Sequence, residues 1–219
     1  MRKSLLVIML VCMVLSAVPA RAQEGTTFVE ALSADPTTFN SITTVEAVDS
    51  VAQGLVLPFL NSVNLETGHP EPYLATWEVS ADGLTYSFTI REDANWSDGV
   101  PITSTDVAFT LNALSSPLVE TFRTINGLDS INILDDKHFE IVLTTQNCGL
   151  FGQIGVGILP AHKFAADYSD FMTSDFNVNP DISGGPFILA ERGAGEYLRF
   201  DANDTFFMGR PQIDHFTAL

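Results

Sequence analysis

Basic side chains are scarce. The 219 residues carry ten Lys and Arg against 27 Asp and Glu, a formal charge of -17 with a pI near 4.3. That balance excludes the clustered positive face that nucleic-acid binding requires. Cysteine is scarcer still. There are two, Cys12 and Cys148, and Cys12 falls in a segment expected to be removed, so the mature chain can form no intramolecular disulfide. Cys148, beside Gly149, reads as a small buried apolar residue. After the first 22 residues no stretch is apolar for the about 20 residues that cross a bilayer. Missing as well are a Gly-x-Ser-x-Gly elbow, a His-Glu-x-x-His pair and a phosphate-binding glycine loop, and Gly152, Gly155 and Gly157 do not have dinucleotide spacing. These absences argue against an enzyme. His69, His138, His162 and His215 include no pair three or four residues apart, so neither a metal site nor another cofactor is expected. Asp135-Asp136 fits a hairpin turn better than a catalytic carboxylate pair.

What is present is core material and an address. Hydrophobic residues make up 46% of the chain and there are 16 Phe, enough for a packed interior rather than a disordered acidic tail. Residues 1–22 have two early positive charges, a short apolar run over 5–17 and the small-x-small site Ala20-Arg21-Ala22 before Gln23. This is the pattern of a cleavable secretory signal peptide, with cleavage near Ala22/Gln23 and a periplasmic or otherwise extracytoplasmic destination. Cys12 follows Val11 in mid-run, which disfavours lipid attachment there. Removing Arg2, Lys3 and Arg21 takes the ten basic residues to seven and the net charge to -20, a surface that repels anionic membranes and nucleic acid.

Along the mature chain, residues 27–32 read as a strand and Asp35-Pro36 as a turn. Val45, Val48, Val51, Ala52 and Leu55 recur at steps of three and four up to Pro58, predicting an amphipathic helix capped by Thr44. Leu84, Tyr86, Phe88 and Ile90 alternate with Thr85, Ser87 and Thr89 after Asp82-Gly83, predicting a hairpin with residues 77–80. Ser97-Asp98-Gly99 is a turn, and Thr103 with Asp106 predicts a capping box opening a helix that runs to about Leu114. A second hairpin is expected from 131–134 and 139–143, a short helix after Pro160, and a final strand pair from 187–189 and 197–200. The segment 213–219 is strand-like, ending without a turn or closing helix, so the chain reads either as complete at a terminal strand or as a fragment.

The order of these motifs resembles a known family. Pro72-Tyr73-Leu74-Ala75-Thr76-Trp77-Glu78-Val79, then Asp82-Gly83-Leu84-Thr85-Tyr86-Ser87-Phe88-Thr89-Ile90-Arg91, then Trp96-Ser97-Asp98-Gly99-Val100-Pro101-Ile102-Thr103 with Asp106-Val107 is similar to the signature of the family 5 extracellular solute-binding proteins, the peptide and nickel receptors of ABC importers. Leu159-Pro160-Ala161-His162, Gly185-Pro186-Phe187, and Asn203 with Phe206, Gly209, Arg210 and Pro211 continue it. Each block also has a local structural reason, so the motifs specify a scaffold and leave the ligand unnamed.

The resemblance implies an α/β fold of the periplasmic binding protein type (type II, the large cluster with an extra subdomain), with the first lobe present and the second lobe missing. Residues 1–22 are then the signal peptide and 23–219 the N-terminal part of the solute-binding domain. The implied function is capture of di- or oligopeptides by a monomer that delivers them to the permease subunits of an ABC importer, without nucleic acid. The alternatives are a receptor for nickel or another small solute of the same family, or a truncated fragment that binds nothing. For the lobe that is present, the resemblance points to Ser41, Ile42 and Thr43 in the loop after Asp35-Pro36, and to Leu118, as ligand-binding positions. Gly184, Gly185 and Pro186 are expected on the hinge side, glycine for its freedom of backbone angle and proline to hold the next residue. Trp77 and Trp96 are expected in the scaffold.

Overall fold

The computed structural model describes residues 25–44, 46–193 and 195–219; the expected signal peptide at 1–22 and Val45 of the helix reading lie outside the described residues. Among the described residues, two four-stranded sheets and a two-stranded ribbon form the β structure. The first sheet joins the two ends of the described chain. Strand β1 (Thr27–Glu30) pairs in parallel with β10 (His215–Ala218), which runs antiparallel to β9 (Tyr197–Ala202), and β8 (Phe187–Gly193) closes the other edge. The second sheet has the order β4 (Ala75–Val79), β5 (Thr85–Ile90), β7 (His138–Leu143) and β6 (Leu128–Ile133). The ribbon pairs β2 (Asn61–Val63) with β3 (Pro70–Pro72).

The second sheet follows the alternation in the sequence. Trp77 pairs with Phe88, and Phe88 with Phe139 on the next strand. Phe88 and Ile90 are buried while Ser87 and Thr89 face solvent, as a sheet with one covered face requires. The Phe88 and Phe139 rings stack with centroids 4.8 Å apart. The turn between β4 and β5 places Gly83 at φ 71°, a backbone region that Gly enters without steric penalty.

Helix α2 (Ser104–Ala113) opens with the expected capping box and ends at Leu114. Its Asp106 does more than cap. The side chain, 4% exposed, accepts hydrogen bonds from the Thr103 N–H at 2.9 Å, the Ala161 N–H at 2.8 Å and the Trp96 indole at 3.5 Å. One carboxylate thus ties the helix start, the buried Trp96 and the short 3-10 turn Ala161–Lys163 together. Trp96 is fully buried, a scaffold residue as expected. Trp77 is partly buried against the same core.

Helix α1 (Ala47–Val56) corrects two expectations. Thr44 is not its cap: the N-cap is Glu46, with no side-chain cap bond. The buried face is also rotated from the predicted stripe, for it consists of Asp49, Ala52, Gln53 and Val56, while Val48, Val51 and Leu55 are half-buried. The polar residues win because the loop before the helix needs hydrogen-bond partners, acceptors for its N–H and hydroxyl groups and a donor for a carbonyl. Asp49 accepts the N–H of Thr37 at 2.6 Å and of Thr38 at 3.3 Å, and the Thr44 hydroxyl at 2.8 Å, while Gln53 donates to the Thr38 carbonyl. Replacing Asp49 with Leu is expected to lower stability by about 2 kcal/mol, because it removes the shared acceptor of the part-buried Thr37 and Thr38 N–H groups and of the Thr44 hydroxyl. A urea midpoint unchanged from the parent would contradict this role.

Cys148 is also corrected. It is exposed rather than buried, because it lies in a surface turn where Asn147 Oδ1 accepts the Gly149 N–H just before the short helix α3 (Leu150–Gln153).

Candidate ligand-facing site

The segment that leaves β1 is fastened from several sides. Arg192 donates to the Pro36 carbonyl at 2.6 Å, the Phe39 N–H donates to the Asn177 carbonyl at 2.7 Å, and the side chains of Asn40 and Asn177 meet at 3.0 Å. Asn40 Oδ1 then accepts the Ile42 N–H at 3.1 Å. These bonds lock an irregular loop that has no ladder of its own to satisfy its backbone.

Ser41 and Ile42 are anchors. Both are buried, and the Ser41 hydroxyl donates to the Gly157 carbonyl at 2.6 Å. Thr43 is the member of the trio that reaches a surface. It lines a depression of about 460 Å³ with Val119, Glu120, Thr121, Phe122 and Met172. The two walls are joined directly: the Thr121 hydroxyl donates to the Ile42 carbonyl at 2.7 Å, and Arg123 donates to the Thr44 carbonyl at 3.3 Å. Leu118, 56% exposed, stands next to this wall without lining the depression.

The structure therefore brings the 41–43 loop together with the segment following α2. Sequence reasoning missed Glu120, Phe122 and Met172. Phe122 is 92% exposed and Met172 43%, so each leaves apolar surface in water that burial would stabilise, by about 2 kcal/mol for a ring. Both side chains line the same depression. The one available signal was a Phe between Thr121 and Arg123, outside any apolar periodicity. Of the lining residues only Glu120 has an ionisable side chain.

The expected hinge residues have a different character. Neither Gly184 nor Gly185 has a positive φ, which removes the argument from backbone freedom. Both N–H groups donate to the Val56 carbonyl, at 3.0 and 2.9 Å, and Asn203 Nδ2 donates to the Gly185 carbonyl at 2.8 Å. A Cβ on Gly185 would lie 2.6 Å from the Leu55 carbonyl oxygen, and one on Gly184 2.8 Å from Pro58 Cγ. These glycines permit the C-terminal end of α1 to approach closely, and Pro186 leads from that joint into β8.

The histidines are dispersed. His138, His162 and His215 contact Asp135, Asp98 and Asp201 at 2.8, 3.1 and 2.8 Å, each on a different part of the surface.

The model of the bacterial extracellular solute-binding proteins, family 5 Middle, matches residues 69–219. The chain is 25% identical over 205 residues to the oligopeptide-binding protein AppA of Bacillus subtilis, covering 90% of this chain and 37% of that protein. It is 26% identical to the peptide transport periplasmic protein SapA of Salmonella typhimurium, covering 84% of this chain and 38% of SapA. Among solved structures, AppA in complex with a nonapeptide superposes with a TM-score of 0.79 at 25% identity, over 89% of this chain and 40% of that one. NikZ from Campylobacter jejuni in complex with Ni(L-His) gives 0.76 at 28% identity, over 88% and 38%. The chain thus spans less than two fifths of the curated relatives described.

Proposed function

Because the chain belongs to the bacterial extracellular solute-binding proteins of family 5, we propose that it supplies one wall of an extracytoplasmic peptide receptor that serves an ABC importer. The protein does not turn over its ligand. It acts as a monomer, with no role for nucleic acid, and its secretion uses residues 1–22.

The observation that carries this reading is the exposed Phe122 beside Thr43, in a depression whose two walls are bonded to each other. An extended peptide pairs its main chain with loop backbone, which tolerates varied side chains, while an aromatic ring and Met172 accept whatever apolar side chain falls there. Ser41, Ile42 and Leu118 belong to this wall, the first two by holding Thr43 in place and Leu118 by extending the apolar rim. Closure of a second wall over the bound peptide would present a distinct shape to permease subunits. On this lobe Gly184, Gly185 and Pro186 form the anchored side of the joint.

The test is a titration of the intact protein with a nonapeptide pool, followed by fluorescence anisotropy. Saturable binding is expected, and Phe122→Ala should weaken it by about tenfold, the effect of losing a central aromatic contact. Absence of binding, or an unchanged affinity for the variant, would overturn the assignment of this wall. A second reading, a receptor for a nickel–histidine complex, is favoured by the likeness to NikZ. Heat on adding nickel with L-histidine, and none with peptides, would select it.

A further inference from the structure

The depression beside Thr43 carries one charge that nothing in the described chain answers. Glu120 is exposed and lines it. Among the described residues its carboxylate takes part in no ion pair. The seven Lys and Arg side chains of residues 25–219 are committed elsewhere. Four pair with other carboxylates, at Asp93, Asp181, Glu191 and Asp204, and three donate to backbone carbonyls. Arg123 is the nearest of them in sequence. It donates to the Thr44 carbonyl at 3.3 Å and does not line the depression.

The other polar side chains of the depression have already used their protons. The Thr43 hydroxyl donates to the Asn40 carbonyl at 3.3 Å and the Thr121 hydroxyl to the Ile42 carbonyl at 2.7 Å. Toward an occupant, these side chains therefore present acceptors and no donor. The rest of the lining is Val119, Phe122 and Met172, with the Phe122 ring 92% exposed. A matching group brings donors and positive charge on a stem that can lie along a ring and a thioether.

We propose that Glu120 makes this depression a subsite for an arginine side chain of the bound peptide, with the guanidinium on the carboxylate and its flat face on Phe122. A planar guanidinium can meet a carboxylate edge-on while stacking on a ring, and its methylene stem packs on Met172. The formal charge of -17 adds a long-range attraction for any cationic peptide. The assignment rests on the peptide reading and narrows it to peptides with a basic residue.

The test uses nonapeptides of alanine and serine with both termini capped, each carrying one arginine at a different position, and the same set with citrulline. Citrulline has nearly the shape of arginine and no charge. Calorimetry on the intact protein is expected to show, for at least one position, binding about fivefold tighter for arginine than for citrulline, as a cation–π contact and a rim charge pair together support. The preference should shrink as salt is raised from about 20 to about 500 mM. Glu120→Gln should bring the arginine peptide down to the affinity of its citrulline counterpart. Glu66→Gln, in the exposed turn between β2 and β3, changes the net charge equally and should leave the preference in place. Equal binding of the two peptide sets at every position would overturn the subsite and leave the peptide wall standing. A preference that survives Glu120→Gln, or that Glu66→Gln removes as fully, would assign it to the overall field and overturn the subsite too. No binding by either set or by the nonapeptide pool would overturn the peptide reading and this assignment with it.

Discussion

Replacing Asp106 with Leu is expected to remove about 4 kcal/mol of stability, a large part of what a domain of this size has. The carboxylate is the shared acceptor for the Thr103 and Ala161 N–H groups and the Trp96 indole. Leu would leave two backbone donors without a partner, at about 1–3 kcal/mol each, and would also end the capping box. Thr103→Val removes the hydroxyl half of the box alone and should cost about 1 kcal/mol. Urea unfolding of the three proteins checks the ranking, and an Asp106→Leu midpoint close to that of Thr103→Val would show that the shared-acceptor role is wrong.

The same carboxyl makes stability depend on pH in an unusual direction. Burial holds Asp106 above the ordinary carboxylate range, against the lowering effect of its hydrogen bonds, while in the unfolded chain it titrates near about 3.9. Between those two values the folded state keeps a proton that the unfolded state has released. Its contribution is therefore complete below about 3.9 and is lost as pH rises through the folded value. Asp106→Asn, which imitates the neutral acid, should gain on the parent as pH is raised from about 4 to 7. Asp214 behaves oppositely. The Thr26 N–H and the Arg210 guanidinium hold it down to about 2, so its contribution is present above about 3.9 and disappears as pH falls toward 2.

Gly185→Ala should be nearly as damaging, at about 3 kcal/mol or more, and Gly185→Val should prevent folding. The added Cβ would meet the Leu55 carbonyl oxygen at 2.6 Å and the Val56 carbonyl carbon at 2.8 Å. Those are backbone atoms at the end of α1, held there by the Gly184 and Gly185 N–H groups and by the Ser183 hydroxyl, which lies 2.8 Å from the Val56 carbonyl. They have no rotamer by which to move aside. Gly54→Ala is the control. It sits within the same helix with nothing in reach of its Cβ, so it should raise stability by about 0.5–1 kcal/mol. Thermal melts of both variants test the contrast, and a Gly185→Ala protein as stable as the parent would show that α1 can shift away.

The hairpins and the helix at Ser104–Ala113 were legible because each depends on neighbours within a few residues. Alternation at 84–90 sets which face is buried, Asp82-Gly83 supplies the turn, and Thr103 with Asp106 meets the first unpaired N–H groups of the helix. The order of those blocks was enough to indicate the family. The α1 prediction failed in detail for the opposite reason. Apolar spacing pointed to Val48, Val51 and Leu55, but the buried face belongs to Asp49 and Gln53, whose partners at Thr37, Thr38 and Thr44 lie on a loop folded back onto the helix.

The candidate site divides in the same way. Positions 41–43 could be singled out from the motif order, yet nothing local says that Ser41 and Ile42 turn inward or that Thr43 joins Phe122 and Met172 around one depression. The Gly184-Gly185 pair was visible as glycine, while its purpose, close approach to Leu55 and Val56, rests on a contact across more than a hundred residues. By itself the sequence determined the charge, the strand and helix signals and the family, because local backbone preferences and apolar periodicity are written in neighbouring residues. Only the tertiary structure decided the parallel pairing of Thr27–Glu30 with His215–Ala218, the burial of Asp49, the exposure of Cys148 and the unmet carbonyl of Asn61. The first joins the two ends of the described chain, and the others depend on which backbone and side-chain groups the folded loops bring against each residue, which apolar spacing along the sequence does not record.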